Sequence, residues 1–186
     1  MNFNSLKRTA FCVCCVATTV TAAHANLLQN GGFETGDFSD WTVNGGYLGV
    51  TGGNYAHSGN YGVYWGTVGY EGTISQDITT VVGDTYNLSF YYAIYDGPTN
   101  EISAFVNGAT VFDSFDPALT SWTLESVNFV ATSTTTDIEF GFRQDPGYSA
   151  FDDASVVQTS STPSPAAIIP FAAGIVGMAR RRRVSK

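Results

Sequence analysis

The segment from Tyr86 to Tyr95 reads Tyr-Asn-Leu-Ser-Phe-Tyr-Tyr-Ala-Ile-Tyr, and positions 86, 88, 90, 92 and 94 are all apolar or aromatic. A period of two sustained over such a stretch is the signature of a strand with one face buried in a sheet. The pattern recurs at Ile102, Ala104 and Val106, ending in the turn pair Asn107-Gly108. It returns at Val127, Phe129 and Ala131, and again at Ile138, Phe140 and Phe142. Further strands are predicted around Tyr47–Thr51, Tyr61–Trp65 and Thr73–Thr80. No helix-length amphipathic segment lies between them. Short strands at this spacing, joined by Gly-rich turns, predict an all-β fold, a β-sandwich or jelly roll in preference to a barrel.

Composition agrees. Residues 26–162 hold all ten tyrosines and all three tryptophans but no lysine, with Gly, Thr, Ser and Val abundant, which is strand-forming chemistry. That stretch is the size of one domain with its own core.

Charge divides the chain differently. Lys7 and Arg8 lie near the start, Arg180, Arg181, Arg182, Arg183 and Lys186 lie at the end, and Arg143 is the only Lys or Arg between them. All sixteen acids fall in the middle, so residues 26–162 carry a net charge of −15, histidine taken as neutral. Nucleic acid is excluded as a partner, because phosphate contacts need cations that this stretch lacks.

The ends read as addresses. Lys7 and Arg8, the apolar run Ala10–Val20 and the small-x-small triplet Ala23-His24-Ala25 predict a signal peptide over 1–25, cleaved by signal peptidase. Cys12, Cys14 and Cys15 all lie inside it, so the mature chain has no disulfide and no cysteine nucleophile. After the domain at 26–157 come a Ser/Thr/Pro linker (158–165), a short apolar segment (166–179) and a basic tail (180–186). The apolar segment is shorter than an ordinary membrane span, and an arginine cluster beside it favours the cytoplasmic side.

Pro163-Ser164-Pro165, the apolar segment and Arg180–Arg183 together resemble the PEP-CTERM sorting signal of exported bacterial proteins. That resemblance implies an exosortase-type processing enzyme, a transmembrane stage, and a destination at the envelope, surface or extracellular matrix of a Gram-negative bacterium that makes exopolysaccharide. Two positions depart from the family pattern. Ser164 stands where the family has Glu, and Pro170 interrupts the apolar run. An ordinary membrane anchor or a basic tail is the plainer alternative.

A second resemblance covers the domain. Asn30-Gly31-Gly32-Phe33-Glu34-Thr35-Gly36-Asp37-Phe38-Ser39-Asp40-Trp41 is similar to the opening of carbohydrate-binding modules of the galactose-binding-like jelly-roll type. Phe151-Asp152-Asp153-Ala154-Ser155-Val156 is similar to their closing strand. The resemblance implies a polysaccharide partner and a structural calcium ion where the two ends meet. Glu34 and Asp152 are then the leading ligands, followed by Asp37 and Asp153. Carboxylates with Gly-rich turns suit the oxygen-rich shell calcium takes, although the same acids also serve as solvated turn residues. Trp41 and Trp122 fall at family positions that pack in the core.

Sugar binding needs aromatic faces and a few polar groups. Tyr91 and Tyr95 alternate against the core set of their strand, and Glu139 and Arg143 against theirs. If both strands share a sheet, these four line one outer face, with Trp65 as a loop platform beside Tyr64. The alternative is that they pack under loops, with Arg143 paired to Glu139 or Asp137. His57 sits in a polar loop and reads as exposed, and no Gly-x-Ser-x-Gly elbow is present, so no enzyme is predicted. Two readings stand: a non-catalytic carbohydrate-binding protein associated with exopolysaccharide, or a structural matrix or adhesion protein that uses calcium and protein contacts without a defined glycan site.

Overall fold

The computed structural model describes residues 25–160. The signal peptide up to residue 24, the Pro163-Ser164-Pro165 motif, the apolar segment 166–179 and Arg180–Arg183 lie outside the described residues. Ten strands are present: β1 (Thr42–Asn44), β2 (Leu48–Thr51), β3 (Gly62–Trp65), β4 (Gly72–Thr79), β5 (Thr85–Ala93), β6 (Asn100–Val106), β7 (Ala109–Phe115), β8 (Thr123–Val130), β9 (Thr135–Gln144) and β10 (Ser149–Ser160). Among the described residues a single 3-10 turn, Gly53–Tyr55, interrupts them. Among the described residues no helix is long and apolar enough to cross a membrane.

The strands form two five-stranded antiparallel sheets, one ordered β1-β4-β9-β6-β7 and the other β2-β3-β10-β5-β8. Every sheet neighbour except β2-β3 and β6-β7 is remote in sequence. The jelly-roll sandwich expected from the alternation is therefore the one found. Two strands, β1 and β7, were not forecast. Both are edge strands, and neither has a cleanly alternating burial pattern. β10 runs three residues past the predicted domain end at 157.

The core lies between the sheets and is filled from both. Tyr86, Leu88, Phe90 and Tyr92 point inward from β5, Ile102 and Ala104 from β6, and Ile138, Phe140 and Phe142 from β9. Phe151 from β10 stands 4.7 Å from the Phe140 ring and 5.2 Å from that of Phe142, tying one sheet to the other. Each Leu, Ile or Phe side chain among them, fully removed from water, contributes about 1.5–3 kcal/mol. The opening segment docks on the closing strand: Leu27 donates its N–H to the Val156 carbonyl and Ala154 to the Gly31 carbonyl.

Candidate functional site

The outward face of the second sheet carries most of the tyrosine. Gly49, Tyr64, Ala150 and Ala93 form one row across β2, β3, β10 and β5. Ala93 and Ala150 face outward yet are fully buried, so a further layer covers the sheet here. That layer is aromatic, and glycine makes room for it. A Cβ on Gly49 would run into the Tyr64 ring, and one on Gly66 into the Tyr148 ring, so both rings lie close against bare backbone.

From Tyr148 the rings continue without a break. Tyr148 lies 5.9 Å from Tyr47 and 5.8 Å from Tyr64, and Tyr47 and Tyr64 are 6.0 Å apart. Tyr64 then meets Tyr55 at 5.7 Å, and Tyr55 meets Tyr95 at 6.0 Å. Tyr47 is 58% exposed and Tyr148 43%. The Tyr95 hydroxyl donates to the Asn54 carbonyl at 2.5 Å, which fixes its ring. The neighbouring Tyr47 hydroxyl raises the pKa of Tyr148 above its usual value, and burial does the same for Tyr95. Both phenols therefore stay protonated well into alkaline solution.

Three hollows open along this ridge. One of about 410 Å³ lies between the 46–47 turn and residues 66–70. A second of about 200 Å³ is enclosed by Tyr47, Tyr55, Tyr64, Tyr148 and Thr51. A third of about 310 Å³ lies between Tyr95 and Trp122, with Asn54 on its wall. The first two share Tyr47 and Tyr148, and the contact between Tyr55 and Tyr95 joins the second to the third.

The loop that supplies Asn54 and Tyr55 is held down by the acids expected to bind calcium. Asp152 is fully buried under it: its Oδ2 accepts the His57 N–H at 2.8 Å and the Ser58 N–H at 3.2 Å, and its Oδ1 accepts the Asp153 N–H at 2.7 Å. Burial pushes the Asp152 carboxyl up to about 6 despite those three donors, which act in the opposite direction. Asp153 sits in the left-handed region (φ 53°) at a bulge in β10, which aims its carboxylate at the same loop. It lies 2.7 Å from the His57 ring nitrogen Nδ1 and accepts the Ser58 hydroxyl at 2.8 Å. Glu34 closes the far end, its Oε1 accepting the Asn60 and Tyr61 N–H groups at 2.8 and 3.0 Å. Those two donors hold Glu34 below the usual carboxylate range. Asp37 turns back on its own segment, accepting the Ser39 N–H and the Thr35 hydroxyl, and is likewise lowered by Ser39 and Thr35.

Calcium takes six to eight oxygens, whereas the groups converging on Glu34 and Asp152 are backbone N–H donors whose partial positive charge opposes a cation. Among the described residues no group of three or more His, Cys, Asp or Glu side chains is placed to hold a metal. The ends of the domain do meet, as expected, but their acids fasten a loop.

The predicted sugar-contact residues divide between two surfaces. Tyr91 and Tyr95 belong to the second sheet and its following loop, Glu139 and Arg143 to β9 in the first, so the four do not line one face. Arg143 pairs with neither Glu139 nor Asp137; its Nε and Nη2 donate to Asp145 at 3.0 and 2.6 Å. Trp65 is no loop platform. It is the inward residue of β3, fully buried, with Nε1 donating to the Arg143 carbonyl at 3.2 Å. Its neighbour Tyr64 takes the outward position. Trp41 is in the core as expected, but Trp122 is only partly buried and meets the edge of His57. Nor is His57 a free loop residue: it stacks on Tyr91 with ring centroids 3.7 Å apart. Sequence reasoning missed Tyr47, Tyr55, Tyr64 and Tyr148. They come from separate segments, and only Gly49 and Gly66, each beside a tyrosine's landing place, hinted at them.

A jelly roll with an aromatic outer surface is an architecture shared by many binding modules. The family model described as a carbohydrate binding domain matches residues 25–147, and the chain belongs to that family. No curated protein matches the chain. Among solved structures it is similar to TmCBM61 in complex with β-1,4-galactotriose, at 22% identity over 72% of this chain and 99% of that one, with a TM-score of 0.59. It is similar to the CBM22-1 xylan-binding domain of Paenibacillus barcinonensis Xyn10C at 19% identity, 75% and 98% coverage and a TM-score of 0.53. The enzymatically active domain of tailspike protein 4 from bacteriophage CBA120 contains a similar unit, at 18% identity and a TM-score of 0.56. The match covers 72% of this chain and 21% of that one. At these identities the likeness establishes a common fold.

Proposed function

We propose that this chain is a non-catalytic glycan-binding protein that takes its ligand on the tyrosine ridge of the second sheet. The observation that carries this reading is the convergence of five tyrosines, from five separate segments, into one continuous outer surface. Aromatic rings present a negative face to the C–H groups of a pyranose, and rigid rings lose little entropy on binding. Thr51 and Asn54 add polar groups in the hollows, the usual complement of an apolar site that must also orient hydroxyls. Glu139 and Arg143 lie on the other sheet and take no part.

The two ends of the chain support export and sorting: a signal peptide in front, and behind it an apolar segment with an arginine cluster that keeps the acidic domain outside the cytoplasm. In this reading exopolysaccharide is the partner, the membrane and an exosortase-type enzyme act through the C-terminal segment, and the location is the surface or matrix of a Gram-negative cell.

Affinity electrophoresis of the full chain through gels containing a panel of polysaccharides tests the binding role. The expected result is retardation by at least one neutral glycan, abolished in Tyr47→Ala and Tyr64→Ala, with no release of reducing ends. Equal mobility in every gel would overturn it and favour a structural matrix role.

A further inference from the structure

We propose that the chain's own apolar C-terminal segment, residues 166–179, docks into a hollow at the pole of the sandwich where β10 ends. The arginines behind the segment then meet the acidic outer face of the first sheet. The hollow has a volume of about 350 Å³, is walled by Val106, Ala109, Val111, Phe129 and Val130, and has no charged residue in its lining. Val130 is 56% exposed. Val81 and Val82, 56% and 54% exposed, stand beside it, because Gly83 donates its N–H to the Ala131 carbonyl. An apolar hollow rimmed by three exposed valines marks a surface that another segment covers. The chain brings that segment to the place. Ser160, at the end of β10, pairs with Thr85, and Thr85 pairs with Val130. The exit is thus two strand spacings, roughly 10 Å, from the wall of the hollow. Ile168 follows eight residues later, and eight extended residues reach up to about 26 Å. Ile168, Ile169 and Phe171 therefore reach the hollow with chain to spare.

Charge selects the same occupant. Asn107, which also lines the hollow, donates its N–H to the Asp137 carbonyl and accepts the Asp137 N–H on its Oδ1, both at 2.9 Å. Asp137 stands directly opposite Asp77 across β9 and β4, and like charges so placed repel. Glu139 extends the acidic face two residues along β9. Among the described residues none of these three acids forms an ion pair, and Arg143, the only Lys or Arg between residues 26 and 162, is held by Asp145. Arg180–Arg183 follow the apolar segment directly and supply the cations this face lacks. A second copy of the domain would offer the same valines, but with a net charge of −15 on residues 26–162 of each copy it is repelled. The domain in this way shelters an apolar segment from water and gives it up when a membrane takes it.

The test places the photoreactive amino acid p-benzoylphenylalanine in place of Phe171 of the full chain, in buffer without detergent, and maps its crosslinks by mass spectrometry. Mixing isotope-labelled with unlabelled chain separates contacts within one copy from contacts between copies. The expected result is an intrachain crosslink to residues 106–111 or 129–132. Val130→Asp and Ala109→Asp, both at exposed positions outside the core, are each expected to cut its initial rate about tenfold or more. An unpaired carboxylate in an apolar hollow costs more than the about 1.4 kcal/mol that a factor of ten represents. Replacing Arg180, Arg181, Arg182 and Arg183 by Gln is expected to weaken the crosslink severalfold, as is salt of about 1 M, which shortens the screening length to about 3 Å. Vesicles of phosphatidylethanolamine and phosphatidylglycerol are expected to abolish it. Crosslinks between copies, crosslinks elsewhere on the domain, or none at all would overturn the docking. Indifference to both aspartate variants would overturn the hollow as its place, and indifference to the arginines and to salt would overturn the acidic face as its second anchor. A crosslink that survives the vesicles would overturn release to the membrane.

Discussion

Gly49 and Gly66 matter for what they lack. The Tyr64 and Tyr148 rings occupy the space a side chain at those positions would need. Gly49→Ala is therefore expected to lift the Tyr64 ring off β2, which its flexible outer end can do at small cost in stability. Glycan affinity should fall as it does in Tyr64→Ala, while the melting temperature shifts by no more than about 1 kcal/mol would move it; calorimetry and thermal unfolding together check this. The Tyr64-Trp65 pair shows how finely the site depends on strand parity. Successive side chains of a strand point to opposite faces, so a one-residue difference decides which ring meets solvent. The sequence shows two large aromatics between glycines; only the pairing of β3 with β10 decides that Trp65 enters the core.

Among the elements, the loop 53–61 and the β10 bulge form one device. Three carboxylates from two remote segments hold four loop residues, His57, Ser58, Asn60 and Tyr61, by their N–H groups and side chains. Asp152 is the buried centre of it. Asp152→Asn replaces one acceptor oxygen by an amide NH2 donor beside backbone donors, and is expected to destabilise the protein by about 1–3 kcal/mol. It should also speed amide exchange at His57 and Ser58 and weaken glycan binding through Asn54 and Tyr55. Hydrogen exchange resolved by residue distinguishes this from a general loss of structure. Here lies the limit of what the sequence tells. Alternation located β5, β6 and β9 because each buries one face along its whole length. It could not reveal that Tyr47, Tyr55, Tyr64, Tyr95 and Tyr148 meet, since their neighbourhood is created by β10 inserting between β3 and β5. Nor could it distinguish acids that bind a cation from acids that accept N–H bonds, because the donors come from a loop far along the chain.

For the whole molecule, the carboxylates set an unusual pH profile. Asp152 holds its proton more tightly in the folded state than in the unfolded chain, since its pKa rises from 3.8 to about 6. Its contribution to stability is complete below the unfolded value and is lost as pH rises through about 6, up to about 3 kcal/mol at 1.36 kcal/mol per unit. Glu34, Asp37 and Asp145 are lowered, so their contributions are present above their ordinary values and vanish as pH falls below them. Thermal unfolding is expected to show a maximum near about pH 4.5 and a decline from there to about pH 6 that is flattened in Asp152→Asn. A strong excess of negative charge pushes the same way, as acidification relieves its self-repulsion. A chelator should leave the melting temperature unchanged, because N–H donors surround the acids of Glu34 and Asp152. A fall of several degrees in chelator would restore calcium to the fold.

β10 starts beneath the tyrosines at Ser149 and runs, through the bulge at Asp153, to Ser160, where it pairs with Thr85. A strand of that length spans roughly 35 Å at about 3.3 Å per residue. The chain therefore leaves the sandwich at the pole opposite the ridge. On the proposal that the residues beyond Ser160 tether the chain, the domain would stand like a post with the tyrosine ridge at its far end.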